Sequence, residues 1–212
     1  MALSIGASTT PFGAAFGVAC VQAGLAWWEA MGFSLLVFGG SAQFAAVSVL
    51  GQGGAITAAV AAGGLLTLRS LAFGLLLAPY LGGSVRFRAL ASQLMIDEST
   101  AVAVSTDDPD LRRFGYLAGG ISVFVLWNLS TLAGALLLAR SGTAITDWGL
   151  DATIPAAFLA LLWPRLGERR HVRAALGGIV VATLLVPIAP PGLPIVAAAL
   201  GAMAGLGRET KP

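Results

Sequence analysis

Charged residues divide the chain into long stretches that carry no charge. Three of them cover residues 30–68, 114–139 and 174–207. A helix needs about 20 mostly apolar residues to cross the hydrocarbon core of a membrane. Each stretch exceeds that length, so the sequence predicts a protein that crosses the membrane several times.

The composition supports this conclusion. Apolar residues make up 57% of the chain and charged residues 10%, whereas a soluble domain carries roughly 25% charged residues. A membrane β-barrel would show short segments that alternate apolar and polar residues, but the stretches here are continuous and rich in Ala, Leu and Gly. We therefore expect an all-α polytopic membrane protein: a single transmembrane domain over 1–212, with six to eight helical segments.

Several of the apolar segments are short or broken. Three are too short for a full crossing, which predicts half-helices, re-entrant pieces or helices completed by a partner. The segments are 12–28, 33–50, 56–81, 89–105, 115–138, 152–163, 174–186 and 193–206.

No basic residue precedes Arg69, so the first segment lacks the positive start of a signal peptide and is expected to stay in the mature protein.

The positive-inside rule gives an orientation. The densest basic loop, 165–173, is placed in the cytoplasm, and two crossings after it return the C-terminus to the same side. Counting backwards places 112–113 on that side as well. Arg86 and Arg88 agree only if segment 89–105 dips into the membrane and returns.

Several chemistries are excluded because the residues they need are missing. Cys20 is the only cysteine, His171 the only histidine and Lys211 the only lysine. A disulfide framework, a Cys/His metal site and a phosphate-binding loop with its lysine are therefore absent from the sequence. The net charge of +2 comes without a basic and aromatic patch for nucleic acid. We expect no enzyme activity, no metal, no cofactor and no nucleic-acid partner.

Small residues recur four positions apart in several segments. Close backbone approach through small residues holds membrane helices together, so these pairs predict a compact bundle and not a binding site. The pairs are Gly13 and Gly17, Ala59 and Gly63, Gly115 and Gly119, Ser130 and Gly134, and Gly201 and Gly205.

Three ionisable residues fall inside the apolar segments. Arg69 lies near the middle of 56–81, and Asp97 and Glu98 lie near the middle of 89–105. Charge at membrane depth is expensive unless it is paired or hydrated, which makes all three candidate functional residues. The alternatives are a structural ion pair, or an acidic pair at a helix N-terminus that the helix dipole stabilises.

Uncharged polar residues give a second set of candidates. Gly39 and Gly40 permit an unwound helix whose backbone can coordinate a polar ligand, and Ser41 and Gln43 follow them directly. Asn128 is a further polar residue in mid-span. The alternative for Gln43 is an interhelical hydrogen bond.

Other polar and aromatic residues have structural interpretations. Asp151, with Pro155 in the first turn that follows, reads as a helix N-cap. Four tryptophans close to segment ends read as interfacial anchors: Trp27, Trp28, Trp148 and Trp163.

Taken together and in order, these motifs resemble the AzlC family of branched-chain amino acid exporters. The more specific pieces are Gly-Ser-Ala-Gln-Phe within 38–44 and the acidic pair within 97–99. Further matching pieces lie at 11–17, 127–134 and 149–158. One departure is notable: the family tends to show Asn, one residue and then Arg-His, whereas this chain has Thr67-Leu68-Arg69-Ser70 and keeps only the arginine.

The resemblance implies export of branched-chain or similar apolar amino acids across a bacterial cytoplasmic membrane, together with a small AzlD-type membrane subunit. On that basis Asp97 and Glu98 bind the substrate ammonium or a proton, and Arg69 contacts the substrate carboxylate or holds the acidic pair. Gln43 and the break at 39–40 supply polar ligands. Because no nucleotide motif is present, proton-coupled secondary transport is the expectation; the alternative is a membrane module driven by separate ATPase subunits, for which loop 165–173 is the only candidate contact.

Overall fold

The computed structural model describes residues 2–141, 156, 159, 162–190 and 193–205. This part of the chain is mostly helical and contains no strand, which confirms the predicted all-α membrane fold. Breaks between the helices divide this part of the chain into shorter pieces than the apolar segments of the sequence suggest. The helices are α1 Ala2–Gln22, α2 Trp27–Leu36, α3 Gly40–Gly51, α4 Ile56–Thr67, α5 Arg69–Leu81, α6 Val85–Ser92, α7 Asp97–Val104, α8 Pro109–Ser141, α9 Arg169–Leu185 and α10 Leu193–Ala198.

Helices α1 and α8 pack side by side and run in the same direction. A Cβ added to Gly6 would meet Ser122, and one added to Gly17 would meet Thr131, so residue numbers rise together along the contact. Both helices are long and apolar enough to cross a membrane. We call the end of the molecule at which α8 begins the first end, and the end at which α1 and α8 finish the second end.

Helices α2 and α3 form a hairpin that enters from the second end and returns to it. The hydroxyl of Ser34 lies 3.5 Å from that of Thr131, and the ring of Phe38 lies 5.0 Å from that of Phe124, so α2 runs inward against α8. Helix α3 runs outward again, since Gly51 packs beside the residue after α1. With 10 and 12 residues, these helices are about 15 and 18 Å long, enough for half a membrane.

Helices α4 and α5 form one crossing with a 42° bend at its centre. Helix α4 packs against α3, where a Cβ on Gly63 would lie 3.1 Å from the carbonyl oxygen of Ala42. Helix α5 finishes at the first end, where the Tyr80 ring lies 4.5 Å from the Arg112 guanidinium. Arg69 is the first residue of α5, so the bend places it at membrane depth.

Helices α6 and α7 form a second hairpin, which enters from the first end and returns to it. Phe87 lies under the Arg113 guanidinium, and four residues later the Tyr116 hydroxyl donates to the Ala91 carbonyl, so α6 runs inward beside α8. Helix α7 runs back towards the first end. Gly120 of α8 packs beside Ser99, whereas Gly115, which is nearer the first end, packs beside Val102, so α7 and α8 are antiparallel.

This path has two consequences for the sequence predictions. Segment 89–105 enters and returns at one end, which is the condition that brings Arg86 and Arg88 to the same side as 112–113. The acidic pair lies at a helix N-terminus, which was the alternative considered from the sequence, and not in the middle of a helix. Residues 93–96 leave helical geometry, so Asp97 and Glu98 occupy the first turn of α7.

The two hairpins meet between α1, α8 and the bend. The Gln93 side-chain amide donates to the carbonyl oxygens of Leu35, at 2.9 Å, and Leu36, at 3.2 Å. These carbonyls close α2 and lack helical N–H partners, so Gln93 joins the tips of the two hairpins. The architecture is thus a crossing followed by a half-depth hairpin, repeated in the opposite direction and completed by α8.

Small residues make the closest helix contacts, as the sequence predicted. A Cβ on Gly13, Gly17 or Gly134 would collide with backbone atoms of the facing helix at the α1–α8 contact. Gly201 likewise faces Gly178, where the turn Ala199–Gly205 packs on α9. The backbones approach here to a distance that no larger residue allows.

The last described helices form a separate layer. Ile195 and Val196 of α10 pack against the buried residues shared by α3 and α4.

Some predictions lie outside the described residues: the N-cap at Asp151, most of segment 152–163, the anchor Trp148, and the C-terminal residues Arg208 and Lys211.

Candidate functional site

A cavity of about 390 Å³ lies where the two hairpins meet. Two of its lining residues, Val123 and Trp127, are on α8, about 15 and 21 Å along the helix from Arg113. Because the hydrocarbon core is about 30 Å thick, the cavity lies near the middle of the membrane. It is lined by Ser8, Thr9, Phe12, Phe38, Gly39, Gly40, Ser41, Arg69, Ile96, Asp97, Glu98, Val123, Trp127 and Arg165.

Arg69 joins the two hairpins through its guanidinium. Its Nη2 lies 2.7 Å from Oδ2 of Asp97 and donates to Oγ of Ser41 at 2.8 Å. The side chains of Arg69 and Asp97 remain 44% and 33% exposed. An ion pair open to that degree at membrane depth requires water or a polar ligand beside it, because lipid cannot solvate it.

Glu98 differs from Asp97 in its surroundings. It is half-buried, lines the same cavity, and makes no ion pair among the described residues. The two adjacent carboxylates therefore differ in their partners: Asp97 is held by Arg69, and Glu98 faces the cavity without an ion-pair partner among the described residues.

Two helix N-termini converge on the cavity. In α3 the first intrahelical hydrogen bond is donated by Gln43, so the N–H groups of Gly40 and Ser41 have no helical acceptor. In α7 the first such bond is donated by Thr100. Helix N-termini carry partial positive charge and favour anionic groups. The carboxylates of 97–98 occupy this position in α7, whereas α3 has no acidic residue in its first turn.

Aromatic and aliphatic side chains form the other wall of the cavity. Phe12 is on α1, Phe38 lies in the break between α2 and α3, and Val123 and Trp127 are on α8. A Cβ on Gly40 would lie 3.0 Å from the Trp127 ring, so the absence of a side chain at this position lets the hairpin tip approach the indole. One cavity therefore combines charged groups, free N–H groups and an apolar wall.

The structure brings most of the predicted site residues together but leaves two outside the cavity. Arg69, Asp97, Glu98, Gly39, Gly40 and Ser41 line it, whereas Gln43 and Asn128 do not. Gln43 is fully buried and donates to the carbonyl of Ser34 at 3.3 Å. Asn128 donates to Phe124 within α8 at 2.8 Å. The Gln43 bond joins α3 to α2, and an interhelical hydrogen bond was the alternative considered for Gln43 from the sequence.

Sequence reasoning missed Ser8, Thr9 and Arg165 as cavity residues. The two hydroxyl residues lie one turn before Phe12 in a helix whose polar positions carry no distinctive pattern. Arg165 was assigned to a loop, and only the three-dimensional path of the chain brings it to the cavity. Gln93 was missed as well, although its polarity between two apolar helices was an available signal.

Comparison with known proteins identifies the family. The AzlC protein family profile matches residues 4–140, a range that contains every cavity residue except Arg165. The chain belongs to the AzlC family. An uncharacterised membrane protein of Archaeoglobus fulgidus is 32% identical over 191 residues, which cover 90% of this chain and 84% of that relative. No solved structure matches the chain.

Family membership gives the general activity. AzlC proteins form a membrane transport family, so this chain is assigned to transport across a membrane. The half-depth hairpins agree with that assignment, because broken helices that meet at the midplane are a recurrent way to build a transport site.

Proposed function

We propose that this AzlC protein exports branched-chain or similar hydrophobic amino acids, as a proton-coupled secondary transporter. The observation that carries the proposal is the midplane cavity, in which one ion pair, one unpaired carboxylate and one uncapped helix N-terminus face an apolar wall. A zwitterion with an apolar side chain needs these three environments at once.

The substrate carboxylate binds between Arg69 and the start of α3. The Arg69 guanidinium retains N–H groups beyond the single Nη2 that contacts Ser41 and Asp97. The free N–H groups of Gly40 and Ser41 add backbone donors that point at the same space. Anion binding at a helix N-terminus follows from these unpaired N–H groups and the helix dipole.

The substrate ammonium binds on the opposite side, at the start of α7. Glu98 supplies a carboxylate without an ion-pair partner among the described residues, and Asp97 adds negative charge beside it. The apolar side chain then lies against Phe12, Phe38 and Trp127. An apolar pocket discriminates only modestly between substrates that differ by a methylene group, which fits a class of related amino acids as the cargo.

The proton is carried by Glu98. Protonation of this carboxylate removes the charge that holds the ammonium, so binding of a proton and binding of an amino acid exclude one another. An exchange of one for the other across the membrane gives antiport.

Substitution of Glu98 tests this role in an efflux assay. In cells that carry the transporter and its membrane partner, we expect Glu98→Gln to abolish the pH dependence of labelled leucine efflux. We expect Asp97→Asn to slow efflux while leaving some pH dependence, since Asp97 is held by Arg69. Glu168→Gln is the matched control, because Glu168 is an exposed carboxylate outside the cavity. Unchanged pH-dependent efflux in both cavity variants would exclude the proposed role.

A small AzlD-type membrane subunit is proposed as the partner, and a bacterial cytoplasmic membrane with a cytoplasmic C-terminus as the location. The short helices, which do not cross a membrane by themselves, support a further membrane subunit. We would compare efflux from cells that express this chain alone with efflux from cells that also express the proposed AzlD-type subunit. Equal efflux in both would show that the partner is not needed.

A further inference from the structure

A second cavity, of about 380 Å³, lies on the other side of Arg69. It forms where the three helix breaks approach one another, after α2, between α4 and α5, and between α6 and α7. The two cavities share a wall, since five residues line both of them. The shared residues are Phe38, Gly39, Ser41, Arg69 and Ile96.

The lining of this second cavity combines apolar residues with polar ones. Hydroxyl and amide side chains lie at the helix ends and breaks, at Thr67, Ser70, Ser92 and Gln93, and the backbone leaves helical geometry at 37–39 and 93–96. Non-helical backbone at membrane depth is tolerated only where protein or water covers it. A cavity of this size with several polar groups in its wall has room for water and for part of a polar ligand.

The described lining of the second cavity carries positive charge alone, whereas that of the first carries charges of both signs. Asp97 and Glu98 line the first cavity and not the second. Arg69 lines both, and it is the single charged residue in the described lining of the second. In the first cavity a substrate carboxylate must compete with Asp97 for the guanidinium, whereas the second cavity holds no acidic competitor among its lining residues.

We propose that the second cavity is a carboxylate subsite on the same transport pathway, which receives the substrate carboxylate when the Arg69 guanidinium turns from Asp97 towards it. This inference rests on the proposed function for the identity of the cargo. The bond exchanged is an ion pair: Arg69 releases Asp97 on one side of the shared wall and keeps the substrate carboxylate on the other.

Cysteine labelling tests the subsite without any transport measurement. Cys20 is the only cysteine and is fully buried, so the wild-type chain serves as the blank. Ser92→Cys and Ser70→Cys place a thiol in the second cavity. Leu75→Cys, on the same helix as Ser70 and 82% exposed on the apolar surface, is the lipid-facing control. Gln52→Cys, in an exposed loop, is the reference for free access to water.

Purified protein is treated with an anionic and with a cationic methanethiosulfonate, and each rate is divided by that of Gln52→Cys. We expect both cavity positions to react and Leu75→Cys not to react. The anionic reagent should be favoured over the cationic one by about tenfold, because Arg69 is the single charged residue in the described lining and a cleft lined by one sign of charge concentrates ions of the opposite sign. Adding Arg69→Gln to Ser92→Cys should remove that preference.

Two results would overturn the proposal: cavity thiols as unreactive as Leu75→Cys, or reactivity without preference for the anionic reagent. If the Arg69→Gln variant does not fold, the charge preference of Ser92→Cys and Ser70→Cys still decides. Charge-selective labelling in a protein that exports no amino acid would leave the subsite standing and refute the proposed cargo. Efflux of amino acids by a protein whose labelling shows no charge preference would refute the subsite and leave the proposed cargo standing.

Discussion

Arg69 is the residue on which the site depends, because one guanidinium contacts both hairpins. It bonds Ser41 at the start of α3 and Asp97 at the start of α7. Since both partners are half-exposed to the cavity, solvent screens the pair, and its contribution to folding stability is small compared with that of a buried pair. Arg69 instead positions the two hairpin tips and, in the proposed function, binds an anion.

A double-mutant comparison tests whether Arg69 and Asp97 act as a pair. We expect Arg69→Gln to lower leucine efflux by about tenfold or more, since a hydrogen bond to a charged group is worth about 1.5 to 3 kcal/mol. If Arg69 and Asp97 act as a pair, Asp97→Asn in the Arg69→Gln background should cause little further loss. Efflux rates of the two single variants and the double variant give the measurement, and fully additive losses would contradict the coupling.

At the scale of the elements, the glycines of α1 and α8 determine how closely the two parallel crossings pack. A Cβ on Gly17 would collide with the backbone of Thr131, and one on Gly134 with the backbone of Ala14. Backbone atoms cannot move aside as a flexible side chain can, so the helices themselves must separate. Val123 and Trp127, which line the cavity, lie on the helix that would move.

Alanine substitution at these glycines is therefore expected to destabilise the protein. We expect Gly17→Ala to cost about 1 to 3 kcal/mol, the usual penalty of overpacking a tight contact, and to lower the melting temperature in detergent. Gly64→Ala is the matched control, because a Cβ there meets nothing within 4 Å; it should be neutral or slightly stabilising. Equal melting temperatures for the two variants would show that the α1–α8 contact is not limiting.

At the scale of the whole molecule, the two hairpins enter from opposite ends and meet at the centre. This topology puts the loops after α1 and α3 at the second end, and the loops after α5 and α7 at the first end. Arg86, Arg88 and residues 112–113 all lie at the first end, and the positive-inside rule assigns that end to the cytoplasm.

Labelling of intact cells checks this topology. A membrane-impermeant thiol reagent should modify Gln52→Cys, in the loop after α3, and should not modify Thr106→Cys, in the loop after α7. Opening the cells should make Thr106→Cys reactive, which serves as the control for its exposure. Labelling of both positions in intact cells would contradict the opposed hairpins.

Much of the fold was predictable from the sequence because charge at membrane depth is costly. The apolar stretches predicted the helices, and the small-residue spacing predicted the close packing. The isolated charges predicted three of the cavity residues and the glycine break at 39–40 predicted three more, which together are six of the eight candidate site residues. The sequence could not distinguish Gln43 and Asn128 from the cavity residues. A polar side chain in mid-span looks the same in sequence whether it makes a hydrogen bond within the helix bundle or faces a cavity.

The sequence by itself determined that the chain resides in a membrane, that it is helical and that Arg69, Asp97 and Glu98 are unusual, because these conclusions need only the local cost of placing charge in lipid. The tertiary structure decided that the helices are broken at one depth, that Arg69 bridges two hairpins from opposite ends, and that Asp97 is paired whereas Glu98 is not. Those facts depend on contacts between residues 28 or more positions apart, and nothing in local composition specifies which distant residues will meet.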